Sequence, residues 1–495
     1  MPAMRQADSS RGRGHDLQRF PAVFPILSIH FAASVLRRDV PDRTAARDSF
    51  HDGVPGRRAV VQRLAPACPR ERGRGTGDAQ VRVQIQRRQR GRRLTTKARK
   101  ILPHVAGKGS PAVAVVLLSC GALGQAPYAE TEPGLPLPGL VASEQSAFAR
   151  GEALFNRPFT PENGLGPLFN QDRCGSCHDL PTSGGHGAEP VIKATRFDPV
   201  EGCSTLPEHG GDLLQTVVIE SARAMGFGAE RTPPGATAIT EIRAPAVYGL
   251  GLVEQIAEAD IMRNADPDDA DGDGISGRPN LDADGRVGRF GRRAQHTALD
   301  GFIEEAIRLE MGITTPAHPE ELDHNGVPLP EGIDLVPDPE VGAEELELLV
   351  AYMRFLAPPQ PILPEDPGAL ADIEEGERIF EFMGCDACHT PAFTTATSES
   401  PALDRKRFRL YSDLLLHDMG PELADICSPG ILPSEWKTAR LVGLGHRSEF
   451  LHDGRAQRLS DAILLHGGEA AASRDVFRRL TDQARSQVLA FLRSL

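Results

Sequence analysis

Aromatic side chains are scarce in this chain of 495 residues, which has one Trp, four Tyr and 20 Phe. Glycine and proline are plentiful instead, at 50 and 41 residues. This balance excludes a regular helical bundle and favours a loop-rich fold, which the helical patterns described below make mainly α. The length is sufficient for two or three domains that each bury a core.

Acidic residues are scarce in the first hundred positions, where 8 Asp/Glu stand against 23 Lys/Arg. The rest of the chain reverses this balance, with 60 Asp/Glu against 32 Lys/Arg. Residues 1–93 lack helical or strand periodicity, and runs such as Arg87–Arg93 are typical of nucleic-acid binding. The alternatives are a disordered tail or a start codon assigned too far upstream. The last is favoured, and no nucleic-acid partner is expected.

No hydrophobic run is long enough to span a bilayer, and the short run Ala112–Leu118 follows a basic stretch. This pattern predicts a secretory signal peptide over 94–126, with Leu94 as a candidate start. Leu117-Leu-Ser-Cys120 approximates a lipobox, which would attach lipid to Cys120; cleavage after Ala126 is the alternative. Either outcome predicts a periplasmic protein or one lipid-anchored to the outer face of a bacterial membrane.

Four of the eight cysteines form two Cys-x-x-Cys-His motifs, Cys174-Gly-Ser-Cys177-His178 and Cys385-Asp-Ala-Cys388-His389. This spacing is the signature of covalent haem c attachment, in which the two thiols bond the vinyl groups and the His ligates iron. A zinc site or a thioredoxin-like redox pair is the alternative. Zinc does not explain a His after both pairs, and the redox pair lacks a strand–turn–helix context. We therefore predict two haem c groups.

Both motifs follow a helical pattern, at 143–155 and 372–383, that carries Gly-Glu-x-x-Phe. Downstream, Glu241–Gly251 resembles Glu435–Gly445, so the halves are nearly in register. We predict two cytochrome c-like haem domains related by internal duplication, over 140–356, with an acidic-loop insertion, and over 365–495. Cys203 and Cys427 are left over; they either form a disulfide between the halves or remain free thiols.

Residues 140–495 resemble the bacterial di-haem oxidoreductase family, described as putative di-haem peroxidases. More distantly they are similar to bacterial cytochrome c peroxidase and the maturation enzyme of methylamine dehydrogenase. The resemblance rests on these segments: Gly151–Asn156, Gly164–Asn170, Gly249–Glu254, Asp271–Asn280, Met311–Thr314, Asp413–Gly420, Leu451–Arg455 and His466–Glu469.

Two positions depart from the family. Arg292 stands where the family usually places an aromatic residue, and Ala439-Arg440 stands where it tends to carry prolines. If the aromatic residue helped electrons to pass between the haems, that route is in doubt in this chain.

The motif histidines His178 and His389 are the predicted proximal ligands. In the related peroxidases the second haem's distal ligand lies fourteen residues beyond the His of the His-Asp-Gly motif. From His452 this count gives His466, with Met419 as the rival ligand. For the first haem, His186 and His209 are the nearest ligand candidates.

An open iron at the first haem is the more useful hypothesis, and it requires an acid–base group. The resemblance suggests Glu254 as this catalytic residue, and a surface carboxylate is the alternative.

The acidic loop 266–274 predicts a calcium site, because Asp269, Asp271 and Asp273 have the spacing of an oxygen-ligand loop. Counted from Asp269, position 12 is Asn280, where an ordinary EF-hand loop has a bidentate Glu; this disfavours an EF-hand. Calcium lies between the haems of the related peroxidases; a solvated acidic turn is the alternative.

The leading function is a periplasmic di-haem oxidoreductase. Electrons from a small redox protein or a quinol-linked donor would enter at the second haem, and peroxide or another small oxidant would be reduced at the first. The alternative is an electron-transfer cytochrome without peroxidase activity, in which both irons are permanently six-coordinate.

Overall fold

The computed structural model describes residues 128–495. The Arg-rich leader, the signal peptide and the lipobox at Cys120 lie outside these residues. Within 128–495, no helix is long and apolar enough to cross a membrane. The described chain is mainly helical and loop-rich, with ten α-helices: α1 Ala142–Phe155, α2 Glu220–Ala224, α3 Leu250–Glu254, α4 Glu258–Met262, α5 Leu299–Met311, α6 Ala343–Phe355, α7 Pro367–Phe382, α8 Leu459–Leu464, α9 Ala471–Arg479 and α10 Asp482–Ser494.

Two helix pairs organise the chain, because α1 packs on α6 and α7 packs on α10. Each pair is close enough to require a glycine in its first helix. A Cβ at Gly151 would collide with the carbonyl oxygen of Leu348, and a Cβ at Gly376 would collide with that of Gln487. The Gly-Glu sequences before the two Cys-x-x-Cys-His motifs therefore serve close helix packing.

The closing segment Asp475–Leu495 fits one amphipathic pattern but forms parts of two helices. Helix α9 ends at Arg479, and α10 begins after Thr481, whose hydroxyl accepts a hydrogen bond from the Ala484 amide at 3.2 Å. Thr481 is a favourable N-cap residue, so the break has a local cause. Helix α10 packs against α7.

Ten short strands accompany the helices. They are β1 Leu168–Phe169, β2 Pro190–Asp198, β3 Gly202–Ser204, β4 Leu213–Leu214, β5 Val217–Val218, β6 Ala238–Arg243, β7 Ala392–Thr394, β8 Arg407–Arg409, β9 Leu416–Asp418 and β10 Glu435–Lys437. Strand β2 pairs antiparallel with β3, β4 and β6, and three two-stranded ladders join β1 to β5, β7 to β8 and β9 to β10. The sheet around β2 was not predicted.

Cys203 on β3 is disulfide-bonded to Cys427, with 5.8 Å between the two Cα atoms. The disulfide alternative of the sequence analysis is therefore confirmed. The Cys427 amide also donates to the Thr195 hydroxyl on β2 at 3.0 Å. The bond fastens the sheet around β2 to the segment that precedes β10.

Candidate functional site

The first Cys-x-x-Cys-His motif forms one tight turn after β1. Residues Cys174–Ser176 make a 3-10 helix, and the His178 amide donates to the Cys174 carbonyl at 3.1 Å. The His178 Nδ1 donates to the carbonyl of Gly185 at 3.1 Å, which leaves Nε2 free to bind a metal. Burial lowers the pKa of His178, so its imidazole is neutral, as ligation requires.

The second motif repeats this arrangement directly after α7. Residues Cys385–Ala387 form the turn, the His389 amide donates to Cys385 at 2.9 Å, and His389 Nδ1 donates to Tyr411 at 2.8 Å. Burial lowers the pKa of His389 to about 4. In each motif a phenylalanine packs near the histidine ring, with centroid distances of 6.2 Å for Phe155 and 6.1 Å for Phe380.

His466 has the hydrogen bonding expected of a third metal-binding histidine. Its Nδ1 donates to the carbonyl of Ala462 at 2.7 Å, and its burial lowers its pKa. His466 also lies close enough to His389 to depress the pKa of that residue, after the larger effect of burial. The rival Met419 lines the same cavity as His466 and packs against an apolar cluster that contains Ile242 and Trp436.

One cavity of about 540 Å³ is lined by both motifs and by His466. Its lining is largely apolar but carries ten Lys or Arg side chains against four carboxylates. Such an excess of cations is costly to bury without an anionic partner. The carboxylates are Glu189, Asp212, Glu305 and Glu310.

The loop before α5 and the loop before α8 have the same backbone pattern, offset by 160 residues. In the first loop, Phe290 and His296 form an isolated antiparallel β-bridge, and in the second loop Phe450 and Ala456 form the same bridge. The backbone has positive φ at Gly291 and Ala294 in the first loop, and at the equivalent positions Leu451 and Gly454 in the second. The helices then begin at Leu299 and Leu459.

Seven residues beyond each helix start, both Ala306 and His466 line the cavity. The first half therefore has a methyl group where the second has an imidazole. Sequence reasoning missed Ala306, although an alignment of Phe290–Leu299 with Phe450–Leu459 would have found it.

Glu310 is a partly buried carboxylate one helical turn beyond Ala306. Burial raises its pKa to about 7, although Lys193 and a hydrogen bond from Asn170 act in the opposite direction. The Asn170 amide lies 3.4 Å from Glu310 Oε2. The charge of Glu310 also raises the pKa values of Cys174 and Cys177, after the larger effect of burial on each thiol. A carboxyl group that titrates near neutrality in a cavity is suited to proton transfer.

Three other predicted candidates lie elsewhere. Glu254 binds Arg354 at 2.7 Å and accepts from the Leu299 amide at 3.2 Å, and it is not among the residues that line the cavity within 128–495. His186 and His209 are likewise outside that lining. His186 is paired through its backbone with Leu180, in the loop that follows His178.

The acidic loop brings three carboxylates together, but the set differs from the predicted one. Oxygens of Asp266, Asp269 and Asp271 all lie within 4.8 Å of one another. Asp273 is not in this group, and its Oδ1 accepts from the Ile275 amide at 2.9 Å. The first ligand of any cation site here is therefore Asp266, which the spacing argument left out.

Among solved structures, the chain is similar to the diheme peroxidase BthA from Burkholderia thailandensis E264, with 15% identity, 74% of this chain and 95% of that chain covered, and a TM-score of 0.35. It is also similar to a MauG-like protein associated with microbial copper homeostasis (15% identity, 74% and 93% covered, TM-score 0.33). Kuenenia stuttgartiensis hydrazine synthase gives 14% identity, 81% and 100% covered, and a TM-score of 0.34. No curated protein matches the chain.

A family model described as "Di-haem oxidoreductase, putative peroxidase" matches residues 240–495, more than half of the chain. The match includes the second Cys-x-x-Cys-His motif, His466, Ala306 and Glu310. Membership implies that the protein carries two haems and acts as an oxidoreductase. The chain belongs to the di-haem oxidoreductase family.

Proposed function

We propose that this protein is a periplasmic c-type peroxidase that reduces peroxide at the first haem with electrons received through the second. The observation that carries the proposal is the contrast between Ala306 and His466 at matching positions of two loop–helix units. An alanine offers no ligand atom, so the first iron would keep an open sixth position. The matched units also support the interpretation that the two halves arose by duplication.

The residues present fit two covalently attached haems. The thiols Cys174 and Cys177, and Cys385 and Cys388, would bond the macrocycles, and His178 and His389 would bind the irons through Nε2. Each haem carries two propionates, so the excess of cations over carboxylates in the cavity lining is large enough to compensate the four carboxylates that two haems bring. Bound haem iron supplies the peroxide-binding and electron-transfer chemistry.

His466 would hold the second site closed, because its Nδ1 is fixed by Ala462 and its Nε2 remains free for iron. A six-coordinate, His-ligated site favours electron transfer over reaction with small oxidants. The second site is therefore the proposed point of electron entry.

Glu310 is the proposed proton carrier at the first site and takes the role that the sequence suggested for Glu254. Reduction of hydrogen peroxide to two waters consumes two electrons and two protons. With a pKa near 7, the Glu310 carboxylate can accept a proton from one peroxide oxygen and return it to the leaving oxygen. Glu254 is held instead by Arg354.

The proposed location is the periplasm, either free or anchored by lipid at Cys120. The Cys203–Cys427 disulfide supports an oxidising compartment. The proposed electron donor is a small redox protein or a quinol-linked carrier, and the proposed oxidant is peroxide or another small molecule. Calcium at Asp266, Asp269 and Asp271 is a further proposed component.

Electron paramagnetic resonance of the oxidised protein tests this function. We expect one high-spin and one low-spin ferric signal, and a change in the high-spin signal when peroxide is added. Two low-spin signals that ignore peroxide would instead identify an electron-transfer cytochrome and contradict the proposal.

The variant Ala306→His directly tests the contrast between Ala306 and His466. An imidazole at this position is expected to bind the first iron, convert the high-spin signal to low-spin and abolish the peroxide response. Ala306→Leu is the matched control, since it adds volume at the same place without a ligand atom and should leave the first iron high-spin. A high-spin signal that persists in Ala306→His would show that α5 does not face the open side of this haem.

A further inference from the structure

Four of the cationic side chains that line the cavity come from two neighbouring stretches of the chain. Lys437 is the last residue of β10, Arg440 and Arg447 lie between β10 and α8, and Arg292 lies in the loop before α5. The Lys437 amide donates to the Arg292 carbonyl at 3.2 Å, so the two segments are in direct contact.

Residues 437–447, which carry three of these cations, contact the surroundings of both motifs. The Leu441 amide donates to Leu410, next to the residue that accepts the His389 hydrogen bond. On the other side, Arg440 donates to the carbonyls of Ala246 and Tyr248, both at 2.6 Å. Ala246 follows Pro245, whose backbone is close enough to His178 to raise the pKa of that residue, against the larger effect of burial. A ligand bound by this segment therefore has access to both haem sites.

Backbone carbonyls accept hydrogen bonds from only some of the donor atoms of these four cations. Lys437 Nζ donates to Arg289 at 2.9 Å, and Arg292 donates to the Arg243 carbonyl. The Nε atoms of Arg292 and Arg447 are buried without a hydrogen-bond partner. Of the two nearest carboxylates, Asp453 is bound by Arg455 and Glu449 is bound by Arg243 at 2.9 Å.

The cations also destabilise one another. Burial lowers the pKa of Lys437 to about 7, and repulsion from Arg440 and Arg292 adds to the effect. Burial followed by repulsion from Arg447 lowers the pKa of Arg292 to about 9, and burial alone lowers that of Arg440 to about 10. A group of like charges held out of water is stable only when an anion compensates it.

We propose that Arg292, Lys437, Arg440 and Arg447 form one anion-binding bridge that takes the propionates of both haems. Arg292 and Arg440 occupy the two positions where the chain departs from its family, so the bridge is a property of this protein. The inference rests on the two haems of the proposed function but not on peroxidase activity.

A shared bridge has a consequence that separate propionate sites lack. A cation near a haem disfavours the ferric state, whose iron carries one more positive charge than the ferrous state, and so raises the reduction potential. If one set of cations serves both haems, neutralising a single member must lower both potentials. If each haem has its own partners, only one potential will change.

Spectroelectrochemical titration of the two-haem protein and its Arg292→Gln variant tests the bridge. We expect both reduction potentials to fall in Arg292→Gln and to recover in Arg292→Lys, which keeps the charge. Resonance Raman bands of propionate bending should shift in Arg292→Gln. The matched control is Arg478→Gln, which removes a half-exposed cation that pairs with Asp475 at 3.2 Å, outside the cavity lining within 128–495, and should change neither potential.

A change in one potential only, or in neither, overturns the bridge, as does an equal fall of both potentials in Arg478→Gln. Haem content is measured on every variant, and a wild-type protein with fewer than two haems would overturn both the bridge and the proposed function. Peroxide addition to the same samples separates the two ideas. A wild-type protein that ignores peroxide while Arg292→Gln lowers both potentials would contradict only the peroxidase proposal.

Discussion

At the residue scale, Glu310 shows how position on a helix decides chemistry. Glu254 and Glu310 are both carboxylates in the first half, but Arg354 neutralises Glu254 by an ion pair at 2.7 Å. Glu310 lines the cavity, and burial raises its pKa to about 7. Only a carboxyl group that exists in both protonation states near neutral pH can both accept and return a proton efficiently.

We therefore predict that Glu310→Gln slows the reaction with hydrogen peroxide by roughly 100-fold or more, the usual contribution of a positioned acid–base group. Because burial raises this pKa to about 7, the proton-accepting carboxylate becomes populated as pH rises through that value. The wild-type rate should rise across the same range, and Glu310→Gln should lose this rise. Stopped-flow absorbance between pH 5.5 and about 8.5 gives both quantities.

Glu254→Gln is the competing variant for this assignment. It breaks the pair with Arg354, so we expect a loss of stability without loss of the pH-dependent rise. If Glu254→Gln removed the rise while Glu310→Gln kept it, the catalytic role would return to Glu254.

At the element scale, the sequence predicted the helices well because their signals are local. The pattern at 143–155 matches α1 at Ala142–Phe155, and that at 372–383 overlaps α7 at Pro367–Phe382. The pair β2 and β6 was missed because its partners are distant in the chain: Val191 faces Ile242. No local pattern specifies such a pairing, since a strand becomes recognisable only with its neighbour in place.

Some residues of the candidate site could likewise be predicted from the sequence, and others could not. The attachment motifs and His466 followed from spacing and resemblance, and their hydrogen bonds agree with metal binding. Ala306 carries no chemical signal of its own, and its meaning depends on comparison with His466. Arg292 was noted only as a departure from the family, because its burial beside Lys437 is a tertiary fact.

The acidic loop is an element whose cation binding can be predicted from its geometry. Calcium at one hundred times its dissociation constant should stabilise the folded holoprotein by about 2.7 kcal/mol if it binds the folded state alone. Asp269→Asn should abolish this gain, because Asp269 belongs to the close group of carboxylates. Thermal unfolding with calcium and with excess chelator measures the difference.

Asp273→Asn is the matched control, since Asp273 lies in the same loop but outside the group. It should retain the calcium response. If both variants lost the response, the ligands would follow the sequence spacing instead of the geometry. A wild-type protein indifferent to calcium would identify the loop as a solvated acidic turn.

At the scale of the whole described molecule, the two halves share one large apolar core. Phe393 and Phe408 from the second half join the large apolar cluster of Phe155 and Tyr352 in the first. The segment that precedes α1 contacts both sides, because the Ala129 amide donates to Arg407 at 3.0 Å and the Leu137 amide donates to Phe355 at 2.7 Å. The halves should therefore unfold together rather than as independent domains.

The Cys203–Cys427 disulfide reinforces this coupling across a sequence separation of 224 residues. A cross-link of this span removes much of the entropy of the unfolded chain. Replacement of both cysteines by serine should therefore lower the free energy of unfolding by roughly 4–5 kcal/mol. Denaturant unfolding of the oxidised holoprotein and of the double variant, matched for haem content, measures the loss.

Neither Cys203 nor Cys427 lines the cavity, so the high-spin and low-spin signals of the folded double variant should match the wild type. Wild-type protein unfolded with a reductant should approach the stability of the double variant, because both lack the same cross-link. Equal stability of the oxidised wild type and the double variant would show that the shared core alone couples the halves. Loss of a haem signal in the double variant would instead mean that the disulfide positions the sheet around β2, whose Lys193 lies in the cavity beside Asp212 at 3.1 Å.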